Sequence, residues 1–134
     1  MSDLDFFPIV LVVDDDRIQV ALLTSFLTKA GFRVVSAPSG DHASAALKAA
    51  GVHATQAISL LVTDLDMPGR NGRQLAAELL RQHPSLKVLY VTGDAEGLMK
   101  PGQMLGPNES FLDKPVTQEL LREAANFLLH SAQT

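Results

Sequence analysis

Carboxylates, a hydroxyl and an amine stand where the apolar runs of this chain stop. Ile9-Val-Leu-Val-Val13 runs into Asp14-Asp15-Asp16, and the run from Ile58 to Thr63 into Asp64-Leu-Asp66-Met-Pro68-Gly69. Leu86 to Val91 opens into Thr92-Gly93-Asp94, and Ser110-Phe111-Leu112 into Asp113-Lys114-Pro115. Taken singly, each has a plain alternative. Asp64 is a metal ligand, a nucleophile or a solvated strand end. The three aspartates from Asp14 are a charge cluster that a helix dipole favours, and Asp16 is assigned that role. Thr92 is a loop hydroxyl and Lys114 a surface charge. Together they read differently. Close carboxylates repel, and one holds a proton unless a cation shares the site. Oxygen-only donors suit Mg2+ or Mn2+, which leave positions for water and phosphate oxygens. A carboxylate, a divalent ion, a hydroxyl and an ammonium are the set needed to attack a phosphoryl group and neutralise its spreading charge. The attacking carboxylate then becomes an acyl phosphate.

The elements that must position these groups follow from periodicity. Short apolar runs bounded by turn residues fit strands buried on both faces. After the first, Ile18, Leu22, Phe26 and Ala30, with Leu23 and Leu27 beside them, form one helical stripe closed by Gly31 as a left-handed cap. Arg33 to Ala37 is a second strand, ended by Pro38. Asp41 is the expected cap of a helix carrying Ala43, Ala46, Leu47 and Ala50 and stopped by Gly51. Residues 52–57 form a loop before the Asp64 strand. Leu75, Leu79 and Leu80 mark the next helix, which stops before Pro84. Thr117 caps a final helix with Leu120, Leu121, Ala124, Phe127 and Leu128 inward. Residues 95–108 contain Gly97, Pro101, Gly102, Gly106 and Pro107, so a helix there is expected to be short or broken.

Strands alternating with helices, and no hairpin signal, predict an α/β fold: a doubly wound, five-stranded parallel sheet with helices on both faces. The flavodoxin-like (βα)5 order 2-1-3-4-5 is taken from that class. It makes the first and third strands neighbours at the switch point, where such sheets bind ligands. Asp14, Asp15 and Asp64 then converge, with Thr92 and Lys114 reaching in from one side.

Composition narrows the setting. At 134 residues the expectation is a single domain over 1–134, with its core from about 9 to 130. Apolar residues make up 46% and charged residues 19%, which excludes a disordered chain. Net charge is −4 without a basic run, which argues against a nucleic-acid surface. Cysteine is absent, so disulfides and thiolate chemistry are excluded. An acidic start and the lack of an 18-residue apolar stretch point to a cytoplasmic protein with no membrane partner. His42, His53, His83 and His130 share no ligand spacing and are expected at the surface. Met99 and Met104 are expected in the core, with cover of apolar surface or of a partner groove as the alternative.

Val12-Val13-Asp14-Asp15, Asp64-Leu-Asp-Met-Pro-Gly-Arg-Asn-Gly72, Val91-Thr92 and Lys114-Pro115 occur in order at strand ends. This set resembles the receiver domain of two-component response regulators over residues 9 to about 130. The resemblance implies that Asp64 accepts a phosphoryl group from a phosphohistidine on a sensor histidine kinase or a histidine phosphotransfer protein. Asp14 and Asp15 would hold Mg2+ with Asp64 and the main-chain carbonyl of Asp66. Thr92 and Phe111 would be the switch pair, and Lys114 would pair with the phosphoryl group. The Lys114-Pro115 bond would be cis, a geometry that is cheap only before proline. Such a domain is not a conventional enzyme; it catalyses its own phosphorylation and a slow autodephosphorylation.

Three positions depart from the common pattern. Phe111 stands where many relatives have Tyr, so it has no hydroxyl to bond. Asp66 and Asp94 occupy the two positions that tune dephosphorylation. Residues 95–108 stand where the family has its fourth helix, in the manner of receivers attached to hybrid histidine kinases. A phosphate shuttle or a receiver module of such a kinase is therefore an alternative reading, and the downstream protein is unspecified. A haloacid-dehalogenase-like phosphatase is disfavoured, because Pro68 replaces its Thr or Val and the motif is not on the first strand. A non-phosphorylated pseudo-receiver is disfavoured because every key residue is present.

Overall fold

The computed structural model of the chain describes residues 8–52, 56–93 and 105–130. In chain order these form β1 (Ile9–Val13), α1 (Arg17–Lys29), β2 (Arg33–Ala37), a short 3-10 turn (Gly40–His42), α2 (Ala43–Ala49) and β3 (Leu60–Thr63). After them come α3 (Gly72–Gln82), β4 (Lys87–Thr92), β5 (Glu109–Asp113) and α4 (Gln118–His130). All pairings are parallel and the sheet order is β2-β1-β3-β4-β5, the doubly wound order expected from the class.

Alternation along the strands divides the core in two. Val10, Val12, Leu60, Val62, Leu89 and Val91 pack with Leu23 and Leu27 of α1 and with Leu121, Ala125 and Leu128 of α4. Leu11, Val13, Val35, Leu61, Val88 and Tyr90 pack on the other side with Ala43, Leu75, Ala76 and Leu79 from α2 and α3. With both faces covered, the inner strands β1, β3 and β4 are buried at every position, which is why they read as largely apolar runs.

Local signals fix the helix ends nearest the carboxyl edge. The Asp16 side chain accepts the N–H groups of Ile18 and Gln19 at 2.9 and 3.3 Å and caps α1. Asn71 and Gln74 form a reciprocal capping box at the start of α3. Thr117 Oγ1 accepts from Leu120 N–H at 3.1 Å. Gly31 takes the positive φ expected of it, at 98°.

Several expectations need correction. Ile18 is 81% exposed and Leu22 37% exposed, whereas Leu23 and Leu27 are buried, so the inward face of α1 is rotated from the predicted stripe. In α4, Leu121, Ala125 and Leu128 are buried, while Leu120 and Phe127 are 49% and 73% exposed. A helix laid on a sheet buries a narrow arc, and apolar residues flanking that arc keep the same spacing without being covered. Asp41 does not cap α2; it lies in the 3-10 turn and pairs with Arg70, and α2 starts without a side-chain cap. Of the histidines, His42 and His130 are exposed, but His83 is half-buried and accepts the Ile58 N–H at 3.3 Å. Burial pushes the His83 imidazole below its ordinary value. His53, Asp94, Met99, Met104 and most of the 95–108 segment lie outside the described residues; Leu105 to Asn108 form the non-helical lead into β5.

Candidate functional site

The carboxyl edge of the sheet collects the polar strand ends. Val13 and Thr63 are partners in the β1–β3 register, so the next residues, Asp14 and Asp64, leave the sheet side by side. Backbone bonds hold both exits: Asp14 N–H donates to the Ala37 carbonyl at 3.4 Å and Asp64 N–H to the Val13 carbonyl at 3.3 Å. Thr92 is the last residue of β4 and is buried, and its carbonyl accepts the Lys114 N–H at 2.9 Å just beyond β5. The Lys114-Pro115 peptide is cis.

From there the Lys114 side chain crosses the edge. Its Nζ donates to Asp64 Oδ2 at 2.9 Å and to Asp14 Oδ2 at 3.2 Å. The second Asp14 oxygen accepts the Asp16 N–H at 3.0 Å, so Asp16 supports the site through its backbone while its side chain caps α1. Asp15 is exposed, yet it offers an oxygen within 4.8 Å of oxygens from Asp14 and Asp64. Asp66 is exposed, and its N–H approaches Asp64 Oδ1 at 3.4 Å. The structure thus brings Asp14, Asp15, Asp64 and Lys114 together, with Thr92 at the same edge. Phe111 is set apart: it is partly buried against the α2–α3 side of the core.

Charge at this edge is unbalanced. The Asp14 side chain is 1% exposed, and burial pushes its carboxyl above the ordinary value; the Asp64 charge adds to this, and the Asp16 N–H and Lys114 oppose it. Burial alone would lower the Lys114 ammonium, but its hydrogen bonds to Asp64 and Asp14 and their charges raise it instead. Among the described residues, three carboxylates face one ammonium here, which leaves a surplus of negative charge. The donors are all hard oxygens, and Mg2+ or Mn2+ fits such a set.

Two glycines shape the loop that follows Asp64. Gly69 sits at φ 79°, in the left-handed region. At Gly72 a Cβ would come within 2.2 Å of the Asp64 carbonyl oxygen, so only glycine lets α3 begin directly beneath the Asp64 backbone. Arg70, from the same loop, pairs with Asp41 at 3.0 Å and with Glu78. Sequence reasoning missed this strap, and it missed two further features. Lys87 is buried in β4 and donates to Asn108 Oδ1 at 2.7 Å. Tyr90, also buried, donates its hydroxyl to Glu109 Oε2 at 2.9 Å. A lysine and a tyrosine inside an otherwise aliphatic strand were the available signal, but their partners depend on strand register.

Residues 10–126 match the family described as response regulator receiver domain. CpdR of Brucella abortus, a response regulator receiver protein, is 29% identical over 90% of this chain and 96% of its own length. AruR, a transcriptional regulatory protein of Pseudomonas aeruginosa, is 30% identical over 90% of this chain, which spans 49% of it. Among solved structures, a response regulator receiver protein from Sinorhizobium medicae superposes with a TM-score of 0.77 at 30% identity, covering 94% of this chain and 97% of that one. The chemotaxis protein CheY4 of Vibrio cholerae shares the fold, with a TM-score of 0.75 at 22% identity, covering 92% of this chain and 99% of that one. With this sheet order, this acidic edge and a match across nearly its whole length, the chain belongs to the response regulator receiver domain family of two-component systems.

Proposed function

We propose that Asp64 is the phosphoacceptor of a two-component phosphorelay. The observation that carries this reading is the Lys114 ammonium held 2.9 Å from Asp64 and 3.2 Å from Asp14, beside a third carboxylate that it leaves unneutralised. Receiver domains interact with histidine kinases, so the donor is phosphohistidine on a sensor histidine kinase or a histidine phosphotransfer protein. Ile18, 81% exposed beside the groove lined by Asp14, Arg17, Val20 and Thr24, supports approach of that donor along α1.

In the transfer, an Asp64 carboxylate oxygen forms a bond to phosphorus while the phosphorus–nitrogen bond breaks. Its electron pair stays with the departing ring, which leaves as neutral imidazole with its proton on the other nitrogen. Lys114 follows the charge onto the phosphoryl oxygens, and the Thr92 hydroxyl donates to one of them. Receiver domains bind Mg2+ through an acidic pocket. Here Asp14, Asp15, Asp64 and the main-chain carbonyl of Asp66 would hold that ion, which supplies further neutralisation of phosphoryl charge. Thr92 and Phe111 are the proposed switch pair, biasing partner binding between two arrangements.

Incubation with acetyl phosphate and Mg2+ tests the reading. The intact protein should gain about 80 Da, one phosphoryl group in place of a proton, and Asp64→Asn or EDTA should abolish the gain. A gain that survives Asp64→Asn would remove Asp64 from the role. Return of the group from Asp64 to a histidine phosphotransfer protein would mark a phosphate shuttle or a hybrid-kinase module.

A further inference from the structure

Beside the acidic edge lies a second set of contacts that phosphoryl transfer does not use. Tyr90 and Thr92 are two residues apart on β4 and therefore face the same side of the sheet. Tyr90 is 1% exposed, and its register partner on β5 is Phe111. The Tyr90 hydroxyl donates to Glu109 Oε2 at 2.9 Å, and Glu109 Oε1 accepts the Gly106 N–H at 2.8 Å. The Arg73 guanidinium lies over the same ring, 5.7 Å from its centroid. Arg73 directly follows Gly72, the residue pressed beneath the Asp64 carbonyl. Contacts thus run from the acceptor backbone through Gly72, Arg73, Tyr90 and Glu109 to Gly106. Phe111 has no hydroxyl, and the phenol on this side of the sheet sits one strand over, at Tyr90.

We propose that the Tyr90–Glu109 hydrogen bond is a latch that couples the acceptor site to the turn leading into β5. This rests on Asp64 being the acceptor. A carboxylate with both oxygens engaged makes charge-assisted bonds that are either kept or broken, which suits a two-state element. Filling the site displaces the Thr92 end of β4 and the start of α3, the two elements that hold the phenol. The change reaches Glu109 and releases the Gly106 amide.

The chain holds one tyrosine and no tryptophan, so the tyrosine absorbance band, which lies above that of phenylalanine, reports Tyr90 alone. The test is a titration of the full chain with Mg2+ and beryllofluoride, a phosphoryl mimic. Binding is read by calorimetry, the phenol by absorbance, and the Gly106 amide by hydrogen exchange. In the wild type, binding should shift the tyrosine band and speed Gly106 exchange by at least about fivefold. Tyr90→Phe keeps the ring and the fold. It should still bind the mimic, but Gly106 should exchange fast before and after addition; Glu109→Ala should do the same. A mimic that binds while the tyrosine band and Gly106 stay unchanged would overturn the latch and leave the acceptor intact. So would a wild-type Gly106 response in Tyr90→Phe. No binding and no phosphoryl adduct would remove the acceptor reading, and the latch with it.

Discussion

β4 and β5 contribute to two polar clusters built on opposite terms. At the carboxyl edge, Asp14, Asp15 and Asp64 share one ammonium, so negative charge is left over. Behind it, Glu109 divides its two oxygens between Tyr90 and Gly106, and each group in that chain of bonds has a partner. A surplus of like charge in a partly buried site is unstable alone and is resolved by a cation or by a proton. A closed network needs nothing further and serves to hold elements in place. The first arrangement suits a cation, and the second ties β4, β5 and the turn before β5 together.

The largest effect should come from removing the Lys114 charge. Lys114→Met leaves Asp14 buried without its counter-charge and should lower stability in urea by about 3 kcal/mol without Mg2+, while also suppressing phosphorylation. If the variant unfolded with the wild-type midpoint, the surplus-charge picture of the edge would be wrong.

Breaking the closed network should cost less. Tyr90→Phe leaves one Glu109 oxygen unmatched and should destabilise by about 1 kcal/mol in the same assay. Burial, together with the charge and hydrogen bond of Glu109, raises the Tyr90 phenol well above its ordinary 10.0. The folded state then keeps a proton that the unfolded state releases near pH 10. The stability this group contributes is full below that pH and is lost as pH rises further. Spectrophotometric titration should show no tyrosinate near pH 10 until the protein unfolds; ordinary ionisation there in the folded protein would contradict the buried bond.

A contrast in sign sharpens the comparison further. Burial disfavours the charged form of Asp14, so without metal its contribution is present below pH 3.8 and lost as pH rises through its raised value. Asp14→Asn should therefore stabilise the metal-free protein by about 1 kcal/mol, and should lose the extra stability that Mg2+ gives the wild type. A destabilised Asp14→Asn variant would mean that the carboxylate serves the fold rather than the ligand. The smallest effect is expected at the uncovered outer face of α4: Phe127→Ser should change stability by no more than about 0.5 kcal/mol.

These outcomes track what could be read before the fold was known. The edge was legible because four of the five strands run into chemically distinct polar residues, and the parallel order places those stops together. Asp14, Asp64, Thr92 and Lys114 needed only strand ends and a sheet order. The outer faces were misread because the apolar spacing of α1 and α4 is wider than the arc that the sheet covers, so Ile18, Leu120 and Phe127 repeat with the core without joining it. The Tyr90–Glu109 bond was out of reach for another reason. Its partners are 19 residues apart and meet through the register of two strands, and no local pattern records that register. Arg70 and Asp41, 29 residues apart, were hidden in the same way.

Locating the phosphoryl group on the chain tests the central claim most directly. After incubation with acetyl phosphate and Mg2+, peptide mapping should find the gain of about 80 Da only on the peptide carrying Asp64. A gain on Asp14, on Asp15 or on any other residue, with Asp64 unmodified, would contradict the account.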